Sequence, residues 1–143
     1  MTGVSTAVVL AGGKGTRLAS AFPDLAKPMV PVDGIPIAEH LVRTYAAQGV
    51  RRFIFTLGYR GDQLRAHFGD GSAWGVNISY YEESEPLGTA GALAELSDEL
   101  KSAPFWVFYA DTLSDIDLGR MEAFHRRHGA DATLLVHPND HPY

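Results

Sequence analysis

The sequence predicts an α/β fold built on a doubly wound, mostly parallel sheet. Short apolar runs alternate with segments of helical period along all 143 residues, which is typical of successive strand-helix-strand units. The first apolar run leads directly into a glycine-rich loop, and a later one, at 105–110, ends at an aspartate. Because ligands of such sheets bind beyond the carboxyl ends of the strands, both features lie where a site is expected.

The elements of the first third follow from their apolar periods. The run at 6–10 predicts a buried strand. A helix is predicted over 37–48, since apolar residues recur there four apart and Gly49 follows as a stop. The apolar run Arg52–Leu57 predicts the second strand.

The middle of the chain continues the alternation. A short helix is predicted at Gly61–Phe68, and the alternating pattern at 76–81 predicts a half-exposed edge strand. Leucines at helical spacing predict one helix over 89–100. The continuous apolar run 105–110 predicts a central strand that is covered on both faces.

The last elements complete a five-stranded sheet. We predict a helix at Leu118–His128, with Asp115 as a turn residue and Asp117 as its N-cap, and a fifth strand at 132–137. Five strands in a doubly wound sheet suggest the order 3-2-1-4-5. The first and fourth strands are then neighbours, so the glycine-rich loop should meet Asp111.

Composition restricts the class of protein. The absence of Cys excludes disulfides, thiolate zinc sites and cysteine nucleophiles. A net charge of −5 provides no general attraction for nucleic acid or anionic lipid, so neither is an expected partner. No apolar run approaches the roughly 20 residues of a membrane span, and the first residues do not resemble a secretory leader. We therefore expect a soluble, cytoplasmic protein without a membrane partner.

Glycines at Gly12, Gly13 and Gly15 allow backbone amides to approach an anion closely. Two common phosphate-binding patterns do not fit the loop. The dinucleotide pattern needs glycine at Leu18, and the P-loop pattern needs glycine at Val8. A glycine-rich turn that only connects a strand to a helix remains the alternative.

Three cations, Lys14, Arg17 and Lys27, lie among the first 31 residues against one acid, Asp24, in a chain that is acidic overall. Each could be a solvated surface charge, and for Lys14 this alternative has equal weight. An arginine can grip phosphate oxygens with two hydrogen bonds, and a lysine is a mobile point charge. Arg17 and Lys27 therefore suit a polyphosphate ligand.

Three segments carry a family resemblance. LAGGKGTRL at 10–18, KPMVPVDGIPI at 27–37 and EPLGTAGAL at 85–93 resemble, in this order, the signature of sugar-1-phosphate nucleotidyltransferases. The resemblance implies that family's Rossmann-like sheet. It also implies a reaction in which a sugar 1-phosphate attacks the α-phosphorus of a nucleoside triphosphate and pyrophosphate leaves. The implied partners are therefore a nucleoside triphosphate and a sugar 1-phosphate.

The resemblance also implies residue roles. Arg17, Lys27 and Asp111 would be catalytic, the first two by holding the β- and γ-phosphates and Asp111 by binding Mg²⁺. Ala110 replaces the glycine that usually precedes this aspartate. The positions implied in nucleotide binding are Leu10, Ala11, Gly12, Gly13, Gly15, Thr16, Arg17, Lys27, Glu83, Gly88 and Thr89.

Glu83 indicates the base. It falls where many relatives carry a glutamine that contacts the base edge. A carboxylate can accept from both N1–H and the 2-amino group of guanine, which favours GTP over UTP or dTTP. Glu82 and Glu85 are possible substitutes, and a solvated acidic loop is the alternative.

These observations predict a guanylyltransferase for a mannose or manno-heptose phosphate, in nucleotide-sugar synthesis for surface polysaccharide or lipopolysaccharide. The alternatives are the same chemistry with UTP, dTTP or another nucleotide, and a catalytically silent nucleotide-binding regulatory module. The resemblance implies that residues 1–143 are the nucleotide-binding part of a domain whose sugar-phosphate half lies further along. We therefore expect this chain alone to bind nucleotide weakly without turnover, and its free apolar edge to favour self-association into a homo-oligomer.

Overall fold

The computed structural model of the chain describes residues 1–13, 21–83, 88–136 and 138. The strands in this part of the chain are β1 (Thr6–Ala11), β2 (Pro31–Val32), β3 (Ile35–Pro36), β4 (Arg52–Leu57), β5 (Asn77–Glu82) and β6 (Trp106–Tyr109). The helices are α1 (Ile37–Ala47), α2 (Gly61–Phe68), α3 (Gly88–Glu95), α4 (Ser97–Leu100) and α5 (Leu118–His128). Helices and a mostly parallel sheet confirm the predicted α/β class.

The central sheet has the order β5-β4-β1-β6, and every neighbouring pair is parallel. This confirms the predicted arrangement of the first four long strands. β1 lies inside the sheet, where Val9 pairs with Phe55 on one side and with Phe108 on the other. β5 forms one edge, as the alternating pattern predicted.

The predicted fifth strand is wrong for residues 132–136, which form no strand, and position 137 lies outside the described residues. Leu134, Leu135 and Val136 are exposed. β6 is consequently an edge strand of the described sheet, and Val107 and Tyr109 are 37% and 54% exposed, so the prediction of full cover on both faces is also wrong. An apolar run supplies strand propensity, but a strand forms only where a partner completes its hydrogen bonds.

The single helix predicted at 89–100 is two helices, α3 and α4, separated by Leu96. Leu96 has a ψ of 5°, which breaks the helical path. It is nevertheless buried with Leu100 against Val8 and Ile54. The leucine spacing therefore predicted the buried residues correctly, although the backbone forms two helices instead of one.

The other helices follow their predictions closely. The carboxylate of Asp117 accepts a hydrogen bond from the backbone N–H of Arg120 at 3.0 Å, which confirms it as the N-cap of α5. α1 ends at Ala47, one residue before the predicted end. No helix in the described ranges is long and apolar enough to cross a membrane.

A small hairpin, β2 and β3, was not predicted. Its turn consists of Asp33 and Gly34, which both have positive φ, at 51° and 79°. An Asp-Gly pair between two extended residues is a recognised hairpin signal, so the sequence contained the information. The hairpin follows a 3₁₀ turn, Lys27–Met29, and the backbone N–H of Ile37, just after β3, donates to the carbonyl of Val30 at 3.1 Å.

Glu122 on α5 anchors the amino-terminal segment. Its carboxylate accepts hydrogen bonds from the Thr2 hydroxyl at 2.5 Å and from the backbone N–H groups of Gly3 and Val4 at 2.6 and 3.3 Å. Arg126 donates to the same carboxylate at 2.8 Å. The bond from Thr2, with those from Arg126 and the two amides, lowers the pKa of Glu122 to about 2, against the opposing effect of burial.

Glu122→Gln is therefore expected to lower the free energy of unfolding at pH 7 by on the order of 2 kcal/mol. A folded-state pKa of about 2, below the usual 4.5, means that ionised Glu122 contributes fully above about pH 4.5 and loses its contribution as the pH falls towards 2. Urea unfolding between pH 2 and 7 measures this, and the variant should show a shallower acid dependence. Glu99→Gln, which removes the exposed partner of Arg52, is the control and should change little. Parallel pH curves for wild type and Glu122→Gln would contradict the assignment.

Candidate functional site

A cleft of about 270 Å³ opens at the carboxyl ends of β1, β4 and β6. Nine of the residues predicted for the site line it. The described residues around the cleft are Leu10, Ala11, Gly12, Gly13, Lys27, Pro28, Thr56, Glu83, Gly88, Thr89, Tyr109, Ala110 and Asp111. Gly15, Thr16 and Arg17 of the prediction lie outside the described residues.

The parallel sheet brings the glycine loop and Asp111 together. Leu10 on β1 pairs with Tyr109 on β6, and the backbone N–H of Ala110 donates to the carbonyl of Leu10 at 3.1 Å. The chain segments that leave the two strands therefore begin side by side. This confirms, for the described part of the loop, that it meets Asp111 at one cleft.

Lys27 forms an ion pair with Asp111, which joins the second predicted motif to the end of β6. The turn that carries Lys27 is held by a hydrogen bond from the Met29 N–H to the Ala26 carbonyl at 2.8 Å and by one from the Ala26 N–H to the Gln63 side chain at 2.7 Å. The side chains of Lys27 and Asp111 are 37% and 29% exposed. A cation and a carboxylate are thus both within reach of a ligand in the cleft.

Two glycines, Gly58 and Gly12, allow close contacts between Gly12 and its neighbours in the cleft. A Cβ on Gly58, after β4, would lie 2.5 Å from the carbonyl oxygen of Gly12, which no larger residue could tolerate. A Cβ on Gly12 would in turn lie 3.0 Å from Oε2 of Glu83. Glu83 is held at this position by a hydrogen bond from its backbone N–H to the Leu57 carbonyl at 3.1 Å. The carboxylate predicted to contact a base therefore lies directly beside the glycine loop.

The structure also separates the acidic candidates. Glu82 precedes Glu83 directly, so its side chain lies on the opposite face of the sheet, where it is paired with Arg65 at 3.1 Å. Glu82 does not line the cleft in the described residues, whereas Glu83 does. Glu85 lies outside the described residues.

Gly88, Thr89 and Tyr109 also line the cleft. Gly88 begins α3 with a φ of +67°, a conformation that favours glycine. The hydroxyls of Thr89 and Tyr109 are 3.5 Å apart. Tyr109 is half exposed, so its ring forms part of the surface that a ligand would meet.

Sequence reasoning missed four lining residues, Pro28, Thr56, Tyr109 and Ala110. Pro28 is adjacent to the predicted Lys27, and Tyr109 and Ala110 directly precede the predicted Asp111. Thr56 offered a signal, because it is a hydroxyl in the otherwise apolar segment FIFTL and comes just before the carboxyl end of β4.

The cleft does not contain a preformed metal cage. Among the described residues, no group of three or more His, Asp or Glu side chains is arranged to hold a metal ion. Mg²⁺ in phosphate-transfer sites commonly uses one or two carboxylates and takes its other oxygens from substrate and water. The single carboxylate of Asp111 fits an ion of that kind, held largely by ligand phosphates.

Comparison with known proteins is consistent with this site. The family model described as Nucleotidyl transferase matches residues 6–143. The chain is 44% identical over 130 residues to the mannose-1-phosphate guanylyltransferase of Mycobacterium tuberculosis, covering 91% of the chain and 36% of that relative. It is 34% identical over 132 residues to the D-glycero-alpha-D-manno-heptose 1-phosphate guanylyltransferase of Aneurinibacillus thermoaerophilus, covering 92% of the chain and 57% of that relative.

A solved structure is also similar to the chain in sequence and in fold. HddC from Yersinia pseudotuberculosis, complexed with GMP-PN, has a TM-score of 0.76 and 32% sequence identity to the chain, and the match covers 85% of the chain and 54% of HddC. The UDP-glucose pyrophosphorylase of Acinetobacter baumanii, with a TM-score of 0.74 and 20% identity, shares the fold. The matches cover between 36% and 57% of the lengths of these four proteins.

Proposed function

The chain belongs to the nucleotidyl transferase family, and we propose that the protein transfers a guanylyl group from GTP to a sugar 1-phosphate of the mannose or manno-heptose type, with release of pyrophosphate. The observation that carries this proposal is the single cleft that unites the glycine loop, Lys27, Asp111 and Glu83. The product would be a cytoplasmic nucleotide sugar for the synthesis of surface polysaccharide or lipopolysaccharide.

The phosphate end of the cleft supports an in-line displacement. The oxygen of the sugar phosphate forms a bond to the α-phosphorus of GTP, and the bond from that phosphorus to the pyrophosphate oxygen breaks. Backbone amides of Gly12 and Gly13 approach the phosphates closely, and Lys27 neutralises charge that grows on the leaving pyrophosphate. Arg17 is assigned to the same phosphates by family resemblance.

Asp111 would hold Mg²⁺ in this proposal. The ion, when bound, supplies positive charge to the phosphate oxygens and helps to align them. Asp111 is positioned at the end of β6, beside the loop, by the pairing of Leu10 with Tyr109. Lys27 already pairs with Asp111, so the carboxylate lies close to the cation that the phosphates would contact.

The base end of the cleft supports guanine. Glu83 lies next to Gly12, whereas Lys27 and Asp111 pair with each other. Its ionised carboxylate accepts two hydrogen bonds, which match N1–H and the 2-amino group of guanine and match neither uracil nor thymine. The two curated relatives are named guanylyltransferases, and HddC was solved with GMP-PN, which also supports this base.

Pyrophosphate release by the full-length protein, from GTP, ATP, UTP and dTTP, each with mannose 1-phosphate, manno-heptose 1-phosphate or glucose 1-phosphate, tests the proposal. We expect GTP with a manno-configured acceptor to give the highest kcat/KM. Glu83→Gln should lower kcat/KM for GTP by about tenfold, since one of the two acceptor oxygens becomes an amino donor that faces an N–H group of guanine. Glu82→Gln is the matched control and should leave the nucleotide preference unchanged. A wild-type preference for UTP or ATP would overturn the guanine assignment.

A further inference from the structure

Two buried hydroxyls of the sheet have no hydrogen-bond partner among the described residues, Thr56 on β4 and Ser79 on β5. A buried hydroxyl without a partner costs free energy, so proteins rarely keep one without a reason. The two differ in position. Thr56 lines the cleft, whereas Ser79 does not appear among its lining residues.

Thr56 lies close to Glu83 on the same face of the sheet. Thr56 is level with Tyr81 in the pairing of β4 with β5, and Glu83 follows Tyr81 by two residues, so it returns to that face. On its other side Thr56 is level with Leu10, which leads into the glycine loop. Thr56 is 1% exposed and lines the cleft. Because it lies between Leu10 and the strand that leads to Glu83, it forms part of the floor of the cleft between them.

We propose that Thr56 is a specificity-determining residue for the base, and that its hydroxyl donates a hydrogen bond to the O6 carbonyl of guanine. This inference rests on the proposed function. Glu83 offers only acceptors, so it can engage N1–H and the 2-amino group but not the neighbouring O6. A donor is needed beside the carboxylate, and Thr56 is the unpartnered hydroxyl at that place. Thr56 lines the cleft, and χ1 rotation between staggered states is the movement by which its hydroxyl would be directed at a bound base.

Glu83 and Thr56 together would bind other bases less well than guanine. Adenine presents an amino group at C6 and an acceptor at N1, so Glu83 would face a lone pair and lose its second hydrogen bond. Uracil and thymine carry carbonyls on both sides of their N–H group, which leaves one carbonyl facing the carboxylate. Among these bases, only guanine presents two adjacent N–H donors for the carboxylate of Glu83 and, beside them, an acceptor for the hydroxyl of Thr56.

The test measures the Kd of the purified protein for GTP and 6-thio-GTP, whose sulfur is a poor acceptor in place of O6. Wild type should bind 6-thio-GTP about tenfold more weakly than GTP. Thr56→Val, which replaces the hydroxyl by a methyl group of similar size, should weaken GTP binding by about tenfold and discriminate between the two nucleotides by less than about twofold. Thr56→Ser should keep the discrimination.

Ser79→Ala is the matched control, since it removes the other unpartnered hydroxyl, away from the cleft. It should leave both Kd values unchanged, and the Tm of the free protein should stay equal or rise in Ser79→Ala and in Thr56→Val. Equal binding of GTP and 6-thio-GTP by wild type would overturn the inference without any variant, as would undiminished discrimination in Thr56→Val. Failure of the proposed function would show separately, as a wild-type preference for a nucleotide other than GTP.

Discussion

Asp111→Asn is expected to lower kcat by about a thousandfold, because the variant keeps the shape of the side chain and loses the charge that would hold Mg²⁺ against the triphosphate. Two carboxylates line the described cleft, and Asp111 is the one that pairs with Lys27, whereas Glu83 lies beside Gly12. The concentration of Mg²⁺ needed for half-maximal rate should rise in the variant. Initial rates of pyrophosphate release by the full-length protein across a Mg²⁺ series measure both effects.

A loss of folding would not account for such a change. The pair of Lys27 with Asp111 is about one third exposed on both sides, and exposed ion pairs contribute little to stability. The Tm of Asp111→Asn should therefore stay close to that of wild type. Asp115→Asn, at an exposed carboxylate four residues further along, is the control and should keep kcat within about twofold. A kcat for Asp111→Asn within tenfold of wild type would remove Asp111 from the catalytic machinery.

The position of the site could be predicted because it depends only on where two strands end and on the order of the strands in the sheet. A strand that ends in glycines and a strand that ends in Asp111 become neighbours once the sheet is parallel and doubly wound. The apolar periods that give these strands are local, and β4, α2 and α5 have the predicted bounds. Local pattern and a general rule of topology were therefore sufficient for the glycine loop, Asp111 and the cleft between them.

The contacts across the site could not be predicted in the same way. Lys27 and Asp111 were each identified by their motif, but their ion pair depends on where the 3₁₀ turn that carries Lys27 lies against the end of β6. Thr56 has ordinary β-propensity, and only the tertiary structure shows that its hydroxyl lacks a partner at the floor of the cleft. The failed strand at 132–136 has the same cause, since pairing depends on residues distant in sequence.

Lys27→Met is expected to lower kcat by about a hundredfold, because methionine retains the apolar stem and loses the charge that stabilises the leaving pyrophosphate. The affinity for the triphosphate should fall as well. Lys101→Met is the matched control: Lys101 is exposed and paired with Asp98, away from the cleft lining, and its loss should leave kcat unchanged.

The Mg²⁺ dependence separates the two members of the pair. Lys27 neutralises Asp111 in the free protein, so Lys27→Met leaves that carboxylate without its cation. The Mg²⁺ concentration for half-maximal rate should then fall or stay equal in Lys27→Met, in the opposite direction to its rise in Asp111→Asn. The same rise in both variants would mean that Lys27 acts by holding Asp111 in place, and a role on the phosphates would have to be given up. Opposite shifts, with a loss of kcat in both, would assign the metal to Asp111 and the leaving pyrophosphate to Lys27.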